Sequence, residues 1–122
     1  RPFVTKRIID DNIEALNSFS AVDTVIPAHD TIVRANGAEL LEIPVRDEMY
    51  QGQTPQSFNI RTFQRSYAKL SDTQKALLSD SAKIVLLSGE RVGMVLGEQA
   101  NMKITTSYDL KIAHVLVEKE HE

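Results

Sequence analysis

The chain has no cysteine among its 122 residues, which excludes disulfides and thiolate metal sites and is compatible with a cytoplasmic setting. It has no apolar run near the roughly 18 residues needed to cross a bilayer, so no membrane span is expected. It has no excess of positive charge. The net charge is -3, and without a basic patch or stripe no nucleic-acid partner is expected. Neither a GxxxxGK(S/T) nor a GxGxxG loop is present, so no recognisable phosphate cradle of that kind exists. A Ser-His-Asp triad is not excluded by composition, but there is no Gly-x-Ser-x-Gly elbow to carry one. His29, His114 and His121 share no ligand spacing, so no metal site is expected from them.

What is there reads as one modest domain, 42% hydrophobic and 25% charged. Thr5 is a candidate N-cap for a helix over Lys6 to about Phe19, with Ile9, Ile13 and Leu16 at helical spacing. Val22 to Ile26 alternates as a strand. Asn36-Gly37 is a strong hairpin signal between β-rich Thr31–Arg34 and Leu40–Val45. Residues 30–46 are therefore expected to form a protruding β-arm. An isolated hairpin is marginal in water, so a second subunit is the economical cover for it. Met49 to Gln53 reads as a strand leading into Thr54-Pro55, and Asn59 or Ser57 as the cap of a helix over Ile60 to Leu70. Ser71 and Gln74 form a capping-box pattern, Ser79-Asp80 opens another helix, and Gly89 suits its C-terminal end. Strands are then expected at Arg91–Leu96 and Met102–Thr105, with a last helix capped by Ser107. Strands alternating with helices give an α/β class.

The most informative stretch is Ile43 to Phe58, IPVRDEMYQGQTPQSF. It strings Arg46, Gln53, Thr54 and Gln56 around Pro55, which fixes its own φ and pushes Thr54 toward extended backbone. Arg1, Thr31, Arg46, Thr54, Ser79 and Lys103 supply scattered cations and hydroxyls. Each taken alone reads as a solvated residue or a cap: Lys103 as an outward lysine on an edge strand, Ser79 as a helix N-cap, Arg46 as half of a weak surface ion pair.

Four blocks occur in order: Arg1-Pro2-Phe3, IPVRDEMYQGQTPQSF, Ser79-Asp80, and Asn101-Met102-Lys103-Ile104-Thr105 followed by Asp109-Leu110. Together they resemble the C-terminal half of the sugar-phosphate cytidylyltransferases, the family containing methylerythritol-phosphate and ribitol-5-phosphate cytidylyltransferases, over essentially the whole chain. The resemblance implies a Rossmann-like nucleotidyltransferase fold whose N-terminal, CTP-binding half lies upstream of Arg1. It implies Mg²⁺ with ligands also upstream, so that no metal ligand is expected within residues 1–122. It implies Lys103 as the catalytic lysine that steadies charge on the transferring phosphoryl group. Arg1, Thr54 and Ser79 are implied as acceptor-binding residues, with Thr31 and Arg46 reaching from the arm into the partner subunit's site of a homodimer.

Two departures bear on this. Ser81 stands where the family often has an acidic residue. Tyr50-Gln51-Gly52 stands where the methylerythritol enzymes usually show Trp and a different pair, and the form here is more similar to the ribitol-phosphate branch. The expected activity is transfer of CMP from CTP to a polyol phosphate, ribitol 5-phosphate first and 2-C-methyl-D-erythritol 4-phosphate as the alternative. The competing possibility is a non-catalytic dimerisation or sugar-phosphate-binding unit. The 122 residues alone are expected to turn over little or nothing.

Overall fold

The computed structural model describes residues 1–120, so His121 lies outside the described residues. A three-stranded sheet is ordered β4-β1-β5, from Tyr50–Phe58, Ala21–Pro27 and Gly93–Leu96. β1 runs antiparallel to β4 and parallel to β5, a mixed α/β sheet. α1 (Lys6–Ala15) packs across all three strands on one face. On the other side α2 (Ile60–Lys69), α3 (Asp72–Ala76) and α4 (Ser81–Leu87) follow β4, with α4 against β1. α5 (Ser107–Glu120) closes the described chain. The core is small and aliphatic: Ile8, Ala21, Val22, Val25, Ile84, Val85 and Val95 are all buried.

Local chemistry sets most boundaries. Thr5 caps α1, its hydroxyl accepting from the Ile8 N–H. α1 ends at Ala15 rather than near Phe19, because residues 16–18 tighten into turns with i→i−3 bonds. Asn59 caps α2 and accepts from the N–H groups of Arg61 and Thr62. Ser71 and Gln74 form the expected capping box, though α3 is only one short turn. α4 is capped by Asp80, not Ser79, because the Asp80 carboxylate takes the Ala82 N–H at 2.9 Å.

Two expected strands differ. Met102–Thr105 is not a strand: its backbone bonds to side chains instead, the Thr105 N–H donating to Asp109 Oδ2 at 3.1 Å. β4 does not stop before Thr54-Pro55 but runs through it to Phe58. Pro55 has no N–H to give to a ladder, and it falls where the β1–β4 register shifts between Asp23 and Val25.

The arm forms, shorter than expected. β2 (Arg34–Asn36) pairs with β3 (Glu39–Glu42), and every residue of both is exposed. The two-residue turn is Gly37-Ala38, with φ of 59° at Gly37, one position later than an Asn36-Gly37 centre. Arg46–Glu48 then makes a 3₁₀ turn into β4.

Candidate functional site

Behind the sheet, a buried polar chain ties α1 to β4. Asn12 Nδ2 donates to the Ile8 carbonyl and to Thr24 Oγ1, both at 2.9 Å. Thr24 Oγ1 donates to the Pro55 carbonyl at 2.7 Å, and Ser57 Oγ donates to Asn12 Oδ1 at 2.9 Å. Asn12 and Thr24 are essentially inaccessible, so each of these bonds is stronger than a surface bond and costly to lose. They anchor the middle of β4, on which the front of the site is built.

A second buried centre positions the loop after β5. Asn101 is fully buried. Its Nδ2 donates to Gln53 Oε1 at 3.2 Å and to the Thr54 carbonyl at 2.8 Å. Its own carbonyl accepts from Arg1 Nη1 at 2.7 Å, and Gln53 Nε2 donates to the Glu98 carbonyl at 2.9 Å. Gly97 makes this packing possible, since a Cβ there would collide with Gln53 Oε1 and Thr24 Cγ2. Asn101 thus joins three segments far apart in sequence: Arg1, β4 and the loop carrying Lys103.

The result is an open cavity of about 450 Å³ lined by Arg1, Gly52, Gln53, Thr54, Gln56, Ser79, Asp80, Ser81 and Lys103. Four of the six sequence-derived candidates, Arg1, Thr54, Ser79 and Lys103, meet here. A neighbouring cavity of about 710 Å³ shares Arg1, Gly52, Gln53 and Lys103 and adds His29, Met102, Ile112 and Leu116. Arg1 and Lys103 therefore stand on the divide between two spaces. A cation pair so placed can hold an anion spanning both.

Thr31 and Arg46 are not brought to either cavity. Both are exposed at the base of the arm, and among the described residues Arg46 makes only a 3.5 Å hydrogen bond to the His29 carbonyl. His114 is exposed on α5 and takes no part in this site.

Sequence reasoning missed Asp23 and the structural weight of Asn101. Asp23 sits in the middle of β1 opposite Gln56. Burial pushes its carboxyl up from the ordinary value of 3.8, and the Asp80 charge pushes the same way; the nearby Gln56 amide, the Thr24 backbone and the Arg1 charge pull it back in part. Gln56 Nε2 donates to both oxygens of Asp80, at 3.0 and 2.9 Å. The available signal was a lone carboxylate inside the apolar run Ala21-Val22-Asp23-Thr24-Val25. At the start of α5, the backbone N–H of Thr105 and the hydroxyls of Thr106 and Thr105 hold the Asp109 carboxyl below 3.8. Among the described residues no three His, Cys, Asp or Glu converge. The one carboxylate pair near the cavity has a Gln56 amide N–H aimed at it, so these side chains do not form a divalent-cation cage by themselves.

The family described as IspD: 2-C-methyl-D-erythritol 4-phosphate cytidylyltransferase matches residues 1–119. The ribitol-5-phosphate cytidylyltransferase of Lactiplantibacillus plantarum is 59% identical over 119 residues, covering 98% of this chain and 51% of that protein. The crystal structure of 2-C-methyl-D-erythritol 4-phosphate cytidylyltransferase from Thermus thermophilus superposes with a TM-score of 0.79 at 32% identity, covering 95% of this chain and 57% of that one. The Francisella tularensis enzyme superposes with a TM-score of 0.85 at 25% identity, covering 94% and 54%. The chain thus spans about half the length of the relatives it matches.

Proposed function

The chain belongs to the 2-C-methyl-D-erythritol 4-phosphate cytidylyltransferase (IspD) family, and from that premise we propose that it is the C-terminal, acceptor-binding half of a cytidylyltransferase domain that transfers CMP from CTP to ribitol 5-phosphate. The observation that carries this is the convergence of Arg1, Thr54, Ser79 and Lys103, from four separate segments, on one cavity. The identity of 59% with a ribitol-5-phosphate cytidylyltransferase favours that acceptor.

In this reading an oxygen of the acceptor phosphate attacks the α-phosphorus of CTP, and the bond to the β-phosphate breaks to release pyrophosphate. No covalent enzyme intermediate is needed. Negative charge grows on the oxygens around phosphorus, so a fixed cation stabilises the transition state more than the ground state. Lys103 is the point charge for that task. Arg1, held by its bond to the Asn101 carbonyl, presents its remaining donors to the acceptor phosphate. The Thr54 and Ser79 hydroxyls line the acceptor's path. CTP binding is assigned to the part of the relatives' domain that these residues do not match. Mg²⁺ is assigned there too, where it would neutralise the nucleotide phosphates when bound.

The assembly in this reading is a homodimer in the cytoplasm. The arm supports it: Val33, Leu40, Leu41, Ile43 and Val45 are exposed apolar side chains on a hairpin that nothing among the described residues covers. Thr31 and Arg46 then serve the neighbour's cavity rather than their own.

The test is a pyrophosphate-release assay on the whole family domain, with CTP and either ribitol 5-phosphate or 2-C-methyl-D-erythritol 4-phosphate. Turnover with ribitol 5-phosphate at the higher kcat/KM is expected. Preference for the methylerythritol acceptor would overturn the acceptor assignment, and turnover with neither would overturn the activity. The 122-residue chain alone is expected to release no pyrophosphate above background.

A further inference from the structure

The cavity carries both signs of charge, and its acids have no role in the chemistry above. Arg1 and Lys103 line it together with Asp80, and Arg1 also reaches the Gly52 carbonyl at 3.4 Å. Behind Asp80 lies Asp23, on the face of β1 turned away from α1: its neighbour Thr24 points back into the α1 network, so Asp23 points forward. Ala21, Val22, Thr24 and Val25 around it are buried, a poor place for a carboxylate. Its Oδ1 is buried without a hydrogen-bond partner among the described residues. Its Oδ2 lies 3.9 Å from where a Cβ on Gly52 would sit, and Gly52 lines the cavity. The missing side chain at position 52 therefore leaves Oδ2 uncovered on the cavity side.

Resting on the reading of this cavity as the acceptor site, we propose that Asp23, aided by Asp80 and Gln56, is the specificity determinant that reads the hydroxyl groups of the acceptor polyol. An ionised carboxylate only accepts hydrogen bonds, and a polyol tail offers O–H donors, giving charge-assisted pairs. Gln56 spends its amide N–H on Asp80 and its Oε1 on the Ala82 N–H at 3.3 Å, which fixes the direction of the Asp80 carboxylate. A ligand that suits both kinds of charge has one phosphate, for Arg1 and Lys103, and hydroxyl groups for the acids. A second phosphate is repelled by them. A methyl group in place of a hydroxyl leaves a partly buried carboxylate unpaired, which is how a hydrogen-bonding site rejects a near-isostere. The raised proton affinity of Asp23 fits an acid kept short of partners until a ligand arrives.

The test is direct binding to the chain, by calorimetry or by NMR titration, using ribitol 5-phosphate, 2-C-methyl-D-erythritol 4-phosphate and inorganic phosphate. The unaltered chain is expected to bind ribitol 5-phosphate the most tightly of the three. Asp23→Asn is expected to weaken ribitol 5-phosphate by about tenfold or more while changing inorganic phosphate by less than about twofold. Gly52→Ala keeps the carboxylate but covers it at ordinary van der Waals distance, and is expected to give the same selective loss with an unchanged unfolding midpoint. Unchanged ribitol 5-phosphate affinity in both variants overturns the proposal, as does an equal loss for ribitol 5-phosphate and phosphate. Equal affinity of the unaltered chain for phosphate and ribitol 5-phosphate overturns it alone. Failure of the unaltered chain to bind either one overturns the acceptor-site reading as well.

Discussion

Replacing Asn101 by alanine tests the idea that one buried amide assembles the front of the site. The substitution removes both Nδ2 hydrogen bonds, to Gln53 Oε1 and to the Thr54 carbonyl, and leaves those two oxygens without that donor. A buried acceptor left unpaired costs about 1–3 kcal/mol, so the pair costs about 2–4 kcal/mol once partial access of Thr54 to water is allowed for. Against a total stability of about 5–15 kcal/mol that is a large fraction, equivalent to a fall of roughly 10 °C in Tm. Asn101→Asp is the sharper variant. It turns a double donor into an acceptor facing two acceptors, and is expected to cost at least as much as alanine. Thermal unfolding followed by circular dichroism measures both. Because the Asn101 carbonyl holds Arg1 and Lys103 lies two residues on, phosphate affinity is expected to drop as well. A Tm within about 2 °C of the parent for Asn101→Ala, or an aspartate variant more stable than the alanine one, would refute the role given to this side chain.

Lys103→Ala in the whole domain is expected to lower kcat/KM by about 10²–10³-fold with the unfolding midpoint unchanged, since the lysine is exposed; a loss under tenfold counts against its charge-steadying role. If Arg46 serves the neighbour's cavity, mixing an Arg46→Ala preparation with a Lys103→Ala preparation restores activity, because a mixed dimer holds one intact site. No recovery after subunit exchange sinks the trans assignment. The Asp109 carboxyl titrates below its ordinary 3.8 in the fold, so it contributes stability at pH values above 3.8 that is lost as pH falls through the lower, folded value. Asp109→Asn should therefore be less stable than the parent at pH 7, with the gap closing in acid; a pH-independent gap refutes the linkage. Asp23 has the opposite sign. Its raised folded value favours the fold at low pH, and that contribution fades as pH rises through it, so Asp23→Asn should flatten the stability curve above pH 3.8.

The sequence made some features plain because they are local. The Thr5 and Asn59 caps, the Ser71–Gln74 box and the turn after Asn36 each depend on residues within four positions. The path of β4 through Pro55 was not legible, because it depends on a register shift contributed by β1, some thirty residues earlier. The Met102–Thr105 segment carries strand-like residues but pairs with no strand, and the N–H groups of Thr105 and the following Thr106 turn to Asp109 instead. The candidate site divided along the same line. Arg1, Thr54, Ser79 and Lys103 stood out through a motif resemblance, and the fold gathers them into one cavity. Asp23 offered only the weak signal of a lone carboxylate in an apolar run, which is informative only once the burial of its neighbours is known.

The alternation of β1 and β4 has a practical consequence for anyone re-engineering acceptor choice. Thr24 and Ser57 point into the network behind the sheet, while Asp23 and Gln56, one residue away from each, point toward the cavity. Tolerance to substitution should therefore switch with every step along these strands. A library that randomises positions 23 and 56 with 24 and 57 held fixed samples new acceptor chemistries on an intact scaffold. The same library shifted by a single position yields mostly unfolded chains.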